Sequence, residues 1–329
     1  MQTVSRMHAT MAERPAPCLS IVVPVLNEQD SIRRFLSVTR PAIARALEAA
    51  GSDAGAEFVF VDDGSSDNTF ALLSRMAAEC GDIRVIRLSR NFGKEAALAA
   101  GIRHAAGAAV IPMDVDLQDP PDLVAEMVAK WRAGAHVVNA RRIDRTSDTA
   151  VKRRTANGFY RLFNYLSEHP IPDNVGDFRL LDRKVVDTLN TLEEGFRFNK
   201  GLVSWVGYRT EEVHYVRPAR NDGESKWRYW KLLQLAVDGI VSFSILPLRV
   251  WTAIGGAIAL AAMFYALFLV ASWMISGNDV PGYTSTIVAV LFLGGLNLLG
   301  LGVMGEYVGR TANAVRRRPL YVIDEMEGF

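Results

Sequence analysis

Two long segments without a charged residue occupy the C-terminal third of the chain. The first extends from Val250 to Ser276 and the second from Tyr283 to Gly305. Each is longer than the about 20 residues that an α-helix needs to cross the hydrocarbon core of a bilayer. We therefore expect a transmembrane hairpin of two helices over residues 249–306, although a pair of buried core helices would produce a similar pattern.

Basic residues flank these two segments on their outer sides only. The residues that link the segments, 277–282, contain neither Lys nor Arg. The flanking cations are Lys226, Arg228, Lys231, Arg249, Arg310, Arg316, Arg317 and Arg318. Because cytoplasmic loops carry the excess of Lys and Arg, the pattern predicts a two-span protein of the inner (cytoplasmic) membrane with both termini in the cytoplasm.

The remaining boundaries follow from local composition. Residues 1–17 lack an apolar stretch and are expected to form a flexible tail, and residues 307–329 a cytoplasmic C-terminal tail. Residues 227–248 combine Trp, Tyr and Lys with an apolar face, which is typical of amphipathic helices at a membrane interface. An ordinary amphipathic helix docked on its own domain would have the same composition. Residues 18–226 are left for one soluble domain.

The charge balance and the cysteine content exclude several classes of protein. The chain of 329 residues has 37 Lys and Arg against 36 Asp and Glu, a net charge of +1. This balance argues against nucleic-acid binding through bulk positive charge. Two cysteines, Cys18 and Cys80, cannot form a disulfide framework, and the five histidines show no metal-ligand spacing. Zinc hydrolase chemistry is therefore disfavoured.

Strand and helix patterns alternate through residues 18–142. Short apolar runs predict strands over 19–25, 58–61, 83–88, 109–113 and 137–140, with helical periodicity between them. Such alternation predicts an α/β fold with a mostly parallel sheet and helices on both faces, in which ligands bind at the carboxyl ends of the strands. No G-x-G-x-x-G follows the first strand and no G-x-x-x-x-G-K-[ST] occurs, so dinucleotide-binding and P-loop sites are disfavoured.

The run from Met113 to Pro121 carries the clearest chemical signal. Asp114 and Asp116 leave the fourth predicted strand on the same side, because side chains of a strand alternate. Two neighbouring carboxylates repel each other unless a cation lies between them. Oxygen ligands suit Mg²⁺ or Mn²⁺, and Gln118 can add a carbonyl oxygen. A solvated acidic turn before the prolines would explain the same residues without a metal.

Four sequence blocks follow successive predicted strands in a fixed order. They are PVLNE at 24–28, VDDGSSDNT at 61–69, RNFGKEAAL at 90–98 and DVDLQDPP at 114–121. The set resembles the family 2 glycosyltransferases, whose catalytic domain has the GT-A fold. The resemblance implies that the first two blocks hold the nucleoside of a nucleotide sugar through Pro24, Asn27, Glu28, Asp62 and Asp63. It also implies a cation near the diphosphate, Lys94, and a metal site formed by Asp114, Asp116 and Gln118.

The blocks GDFRLLDR at 176–183 and RPARNDGESKW at 217–227 narrow the resemblance. With the two charge-free segments, they are similar to the polyprenyl-phosphate glycosyltransferases, of the bactoprenol glucosyltransferase and dolichol-phosphate mannose synthase type. The resemblance covers residues 18–318. It implies inverting transfer of a hexose to undecaprenyl phosphate at the cytoplasmic membrane face, giving a lipid-linked sugar for cell-envelope glycosylation. It also implies a homo-oligomer, as members of the family can be tetramers.

The resemblance places Asp177 at the position of the catalytic base, and Asp116 acts with it through the metal. Glucose from UDP-glucose is the first expectation for the donor, with UDP-GlcNAc, GDP-mannose and a UDP-aminoarabinose derivative left open. An anionic lipid head beside an anionic donor requires cations and hydrogen-bond donors. We expect this role for Arg141, Arg179, Arg217, Arg220, Ser225 and Lys226.

Two alternatives from other classes remain. A non-enzymatic membrane receptor for nucleotide sugars would bind the nucleotide without turnover, and the retained Asp114, Asp116, Gln118 and Asp177 argue against it. A processive polysaccharide synthase would carry a Q-x-x-R-W block and more spans, and this chain contains neither.

Overall fold

The computed structural model describes residues 18–143, 175–192, 199–216, 246–276, 282–316 and 318–329. The chain divides into two compact units. The sheet unit comprises the described residues up to 216 together with 319–329, and the helical unit comprises the described residues between 246 and 318. The predicted tail 1–17 and residues 227–245 of the predicted interfacial segment lie outside the described residues.

The sheet unit alternates strands and helices. Its first half contains β1 (Leu19–Val25), α1 (Ile32–Ala49), β2 (Ala56–Asp62), α2 (Thr69–Glu79), β3 (Ile83–Leu88), α3 (Lys94–His104) and β4 (Ala109–Pro112). A short 3₁₀ turn, Pro121–Leu123, then leads into α4 (Val124–Arg132) and β5 (Val137–Arg142). The second half contains β6 (Val175–Asp182), α5 (Arg183–Thr191), α6 (Asn199–Trp205), β7 (Thr210–Tyr215) and, near the C-terminus, β8 (Ile323–Glu327).

The strands form one sheet in the order β7-β5-β6-β4-β1-β2-β3-β8. The pairs β1–β2, β1–β4, β2–β3 and β5–β7 are parallel, whereas β6 is antiparallel to β4 and β5, and β8 is antiparallel to β3. The predicted α/β fold with a mostly parallel sheet is therefore confirmed. The antiparallel β6 brings its N-terminal end to the edge where β1–β4 have their carboxyl ends.

Side chains of β1 alternate between the two faces of the sheet and are buried on both. Leu19, Ile21 and Val23 belong to the large apolar core that also contains side chains of α1 and α4. Val22 points to the opposite face, where a Cβ atom on Gly101 of α3 would overlap its side chain. The glycine thus allows α3 to lie directly on the sheet, and α3 begins at the sheet edge with Lys94.

The helical unit contains α7 (Leu246–Ser276) and α8 (Tyr283–Val315). The two helices contact each other, and a Cβ atom on Gly300 of α8 would overlap the Trp251 indole of α7. Many large apolar side chains on both helices are exposed, for example Phe264 at 66% and Leu298 at 71%.

One prediction about these helices is wrong. Within the part of the chain that the structure describes, no helix combines the length and the apolar character needed to cross a membrane. This finding contradicts the predicted inner-membrane location with two spans and cytoplasmic termini, and the transmembrane hairpin over 249–306 is not confirmed. The prediction rested on the length of two charge-free segments and on the basic residues that flank them.

Substitution of Gly101 by Ala tests the contact between α3 and the sheet. The added methyl group would overlap Val22 and would lie 3.0 Å from Val61 Cγ2. Overpacking of this kind costs about 1–3 kcal/mol, which exceeds the about 1 kcal/mol that alanine gains over glycine in a helix. We expect Gly101→Ala to lower the free energy of unfolding, measured by denaturant titration. Gly81→Ala is the control, because nothing lies within 4 Å of its added Cβ, and equal effects of both variants would contradict the packing argument.

Candidate active site

Lys94 joins two acidic residues at the carboxyl edge of the sheet. Its Nζ lies 2.7 Å from Asp114 Oδ1 and 3.0 Å from Asp177 Oδ2. Asp114 follows the end of β4, and Asp177 stands near the start of the antiparallel β6, so both carboxylates reach the same edge. The first residue of α3 supplies the ammonium between them.

The Lys94 ammonium is half-exposed, with 45% of its side chain accessible, whereas Asp177 is 17% accessible. Burial by itself would lower the pKa of Lys94, but the charges of Asp114 and Asp177 and the hydrogen bonds to both outweigh it and raise this pKa well above its ordinary value. Lys94 is therefore a permanent cation at neutral pH. Two carboxylates against one ammonium still leave an excess of negative charge.

Asp116 lies beside this cluster in an irregular loop. Its side chain is exposed, and its Oδ1 accepts a hydrogen bond of 3.1 Å from the backbone N–H of Gln118. Leu117 has a φ of 57°, a left-handed conformation that turns the loop sharply. Val115 is buried in the core, so its neighbours Asp114 and Asp116 both point away from the core. Gln118 is buried at 7% exposure, and its Nε2 has no hydrogen-bond partner among the described residues.

The donor set fits one mode of divalent-metal binding. The described residues include no group of three or more acidic, histidine or cysteine side chains that could enclose a metal. Mg²⁺ is commonly held by only one or two carboxylates and takes its other oxygens from phosphates and water. Asp114 and Asp116 supply such a pair, and Gln118 lies in the same loop. A metal there would share Asp114 with Lys94.

The first two sequence blocks interlock beside the cluster. The Asn27 backbone N–H donates to Ser65 Oγ at 2.9 Å, and Asn27 Oδ1 accepts from the backbone N–H of Ser66 at 2.9 Å. Glu28 is held in the same way, because its backbone N–H donates to Thr69 Oγ1. The register of β1 and β2 places Pro24 opposite Val61. The structure brings all five residues predicted to bind the nucleoside together at this edge: Pro24, Asn27, Glu28, Asp62 and Asp63.

Asp62 is fully buried beneath this loop. Its Oδ1 accepts from the backbone N–H of Ser65 at 3.0 Å. Its Oδ2 lies 3.9 Å from Arg87 Nε and has no hydrogen-bond partner among the described residues. A buried carboxylate requires a compensating charge or hydrogen bonds. Arg87 supplies the charge from β3.

Asp63 connects the second block to the third. Its two oxygens accept hydrogen bonds from the backbone N–H groups of Phe92 at 2.7 Å and Gly93 at 2.9 Å, directly before α3. Burial raises the pKa of Asp63 and the Asp62 charge adds to this, although the two backbone hydrogen bonds oppose the shift. A Cβ on Gly64, whose φ is 73°, would approach the Arg90 carbonyl carbon to 2.6 Å, so the two loops are in direct contact. Asp63 thereby fixes the backbone from which Lys94 extends.

The structure describes only two of the six predicted phosphate-binding residues, and these two differ in exposure. Arg141 is 40% exposed and its Nη1 forms an ion pair with Glu212 Oε2 at 3.0 Å. Arg179 is buried at 5% exposure, and its Nη2 donates to the Gly176 carbonyl at 2.6 Å, so it holds the start of β6. Four predicted residues lie outside the described residues: Arg217, Arg220, Ser225 and Lys226.

Sequence reasoning missed three residues around the cluster. Glu95 accepts from the backbone N–H of Asn199 at 3.0 Å and so ties α6 to the start of α3. Asp119 accepts a hydrogen bond of 3.1 Å from the Tyr215 hydroxyl. Glu95 and Asp119 stand inside recognised blocks, and an acid beside a candidate ligand is a usable signal. Tyr215 belongs to no recognisable motif, and the residue that it bonds, Asp119, lies 96 positions earlier in the chain.

Comparison with known proteins gives a consistent result. The Glycosyl transferase family 2 domain matches residues 20–189. An uncharacterized glycosyltransferase of Synechocystis sp. is 48% identical over 312 residues, covering 94% of this chain and 96% of the relative. A prophage bactoprenol glucosyl transferase homolog of Escherichia coli is 44% identical over 310 residues, with 94% and 99% coverage. The SfII prophage-derived bactoprenol glucosyl transferase of Shigella flexneri is 46% identical over 306 residues, with 93% and 97% coverage.

A solved structure, the mannosyltransferase PcManGT from Pyrobaculum calidifontis, aligns with a TM-score of 0.42 at 19% identity, covering 92% of this chain and 87% of that one. A likeness at this level carries no argument. The family assignment rests instead on the domain match and on relatives named as transferases, which are similar over nearly the whole chain. This chain belongs to glycosyltransferase family 2 and is a transferase enzyme.

Proposed function

We propose that the enzyme transfers a hexose from a nucleotide sugar to a polyprenyl phosphate, with inversion at the anomeric carbon. Glucose from UDP-glucose and undecaprenyl phosphate are the specific donor and acceptor. The observation that carries the proposal is the Lys94 ammonium held between Asp114 and Asp177 at the sheet edge. Two relatives named bactoprenol glucosyl transferase or its homolog, at 44% and 46% identity over nearly the whole chain, support the lipid acceptor.

Lys94 stabilises the departing nucleoside diphosphate. Negative charge accumulates on the diphosphate as the bond to the sugar breaks, and a preorganised cation lowers the energy of that state. The ion pairs with Asp114 and Asp177 hold the flexible lysine in one position before the donor arrives. When bound by Asp114 and Asp116 with Gln118, Mg²⁺ or Mn²⁺ supplies further neutralisation of the same leaving group.

The acceptor requires little activation. A phosphate monoester has a second pKa of about 6, so it is mostly ionised at neutral pH and is already nucleophilic. Asp177 is paired with Lys94 and only 17% accessible, which suits a residue that orients the cation as much as one that removes a proton. The excess negative charge of the cluster must be balanced before a phosphate can approach. The proposed binding site for that phosphate comprises Arg141, Arg179, Arg217, Arg220, Ser225 and Lys226.

The choice of donor sugar rests on the relatives. Two relatives carry glucosyl transferase in their names, which favours glucose. Epimers and N-acetyl derivatives differ by single polar groups, so loops around the sugar decide among them. UDP-GlcNAc, GDP-mannose and a UDP-aminoarabinose derivative are the alternative donors. The homo-oligomeric state, with a tetramer as one form, also stays a prediction.

A donor panel tests the reaction directly. The enzyme is incubated with undecaprenyl phosphate and one radiolabelled donor at a time: UDP-glucose, UDP-GlcNAc or GDP-mannose. We expect label in the organic phase only with UDP-glucose, because the product keeps the polyprenyl chain. Label from another donor would correct the sugar and keep the reaction. Nucleotide release without lipid-linked label from any donor would contradict the proposed acceptor.

Lys94→Met tests the cation at the leaving group. The variant removes the charge but keeps most of the apolar stem, and it leaves Asp114 and Asp177 to repel each other. We expect the turnover number to fall about 10²-fold or more, the loss typical of removing one group that stabilises transition-state charge. Lys94→Arg should retain part of the activity. Lys184→Met is the control, since Lys184 is exposed on α5, and an unchanged rate in Lys94→Met would refute the assigned role.

Asp116→Asn tests the metal. Asparagine keeps an oxygen that can accept from the Gln118 N–H, so the loop turn is preserved while the charge is lost. We expect the Mn²⁺ concentration for half-maximal rate to rise about 10²-fold, and EDTA to abolish the activity of the parent enzyme. Asp122→Asn is the matched control, because Asp122 is 80% accessible and pairs only weakly with solvent-exposed Arg45. Full activity in EDTA would exclude a required metal.

A further inference from the structure

The loop that carries Asp114, Asp116 and Gln118 has little regular structure of its own. It follows β4 and precedes the short 3₁₀ turn at Pro121, and it contains the left-handed Leu117. Active-site groups on such a loop require support from rigid elements to hold their geometry. The loop end at Asp119 is buried at 7% exposure, and its carboxylate points toward β7.

Tyr215 meets this carboxylate from a rigid strand. It is the last residue of β7, where its carbonyl accepts from the Ile143 N–H at 2.9 Å. Its hydroxyl donates to Asp119 Oδ1 at 3.1 Å, and its side chain is only 9% exposed. A hydrogen bond to a charged acceptor away from water is stronger than a neutral or exposed one. The bond therefore fixes the loop end to the sheet.

The same tyrosine also touches the strand that carries Asp177. Its ring packs edge-to-face on Phe178, with centroids 6.5 Å apart and planes at 89°. Phe178 stands directly between Asp177 and Arg179 on β6. Tyr215 is thus in contact with the acidic loop through its hydroxyl and with the Asp177 strand through its ring. No local sequence motif includes it.

We infer that Tyr215 is a positioning residue of the active site, which holds the Asp114–Gln118 loop in register with Asp177 through its hydrogen bond to Asp119. This inference rests on the proposed metal-dependent glycosyl transfer. Tyr215 does not touch the reacting groups itself. Its hydroxyl keeps the loop at the distance from β6 at which Asp114 pairs with Lys94 and at which Asp114 and Asp116 would hold a metal.

The test compares two single-oxygen deletions. Tyr215→Phe removes the hydroxyl bonded to Asp119 and keeps the ring on Phe178. Tyr208→Phe is the matched control, because the Tyr208 hydroxyl also bonds a side chain, Thr188 Oγ1 at 2.8 Å, and its ring packs on His136. Both variants lose one partly or fully buried hydrogen bond, so a general loss of stability is shared by both.

Two readouts are measured on the full chain: hydrogen–deuterium exchange of a peptide covering 113–121, and Mn²⁺ affinity by electron paramagnetic resonance in the presence of UDP. For Tyr215→Phe we expect faster exchange in that peptide and an Mn²⁺ dissociation constant raised about tenfold or more, the size of one lost hydrogen bond to a charged group. Tyr208→Phe should change neither readout.

The outcomes separate this inference from the proposed function. Unchanged exchange and affinity in Tyr215→Phe, or equal changes in Tyr208→Phe, would overturn the positioning role. Absence of Mn²⁺ binding by the parent enzyme would overturn the metal in the proposed function, and the exchange of residues 113–121 would then decide the role of Tyr215 alone.

Discussion

The ion pairs of Lys94 with Asp114 and Asp177 are the contact on which the site depends. They join three parts of the chain: the loop after β4, the start of α3 and the start of the antiparallel β6. Without the lysine, the partly buried carboxylates of Asp114 and Asp177 would face each other at the edge of the sheet. Their repulsion would push the loop after β4 away from β6. In the proposed reaction the same ammonium stabilises the leaving diphosphate, so one group would both hold the site together and act in it.

Asp63 holds the backbone segment that precedes Lys94. Its carboxylate accepts both N–H groups that precede α3, which fixes the backbone from which the lysine side chain extends. Asp62 is compensated differently, by Arg87, which also forms an ion pair with Glu325 of β8 at 3.2 Å. The two adjacent acids therefore have different partners. Asp63 anchors the backbone before Lys94, and Asp62 is linked through Arg87 to the C-terminal strand β8.

The sequence allowed the parallel part of the sheet to be predicted, because β1 to β5 are short buried apolar runs separated by clear helical patterns. It did not reveal β8, whose residues IDEME contain three acids and few apolar side chains. That strand forms because Arg87 and the β3 edge, about 240 residues earlier in the chain, supply its partners. The predicted location in a membrane was wrong, because no helix among the described residues is long and apolar enough to cross one.

The candidate site was predictable in its blocks but not in its connections. Asp114, Lys94 and Asp177 stood out individually in recognisable motifs, yet their common ion pair joins positions 83 apart and needs the antiparallel direction of β6. Tyr215 is the extreme case, since a tyrosine at a strand end is unremarkable until the loop that it bonds is placed beside it. Motifs report the residues that meet the ligand, whereas the residues that position them depend on tertiary packing and become visible only in the folded chain.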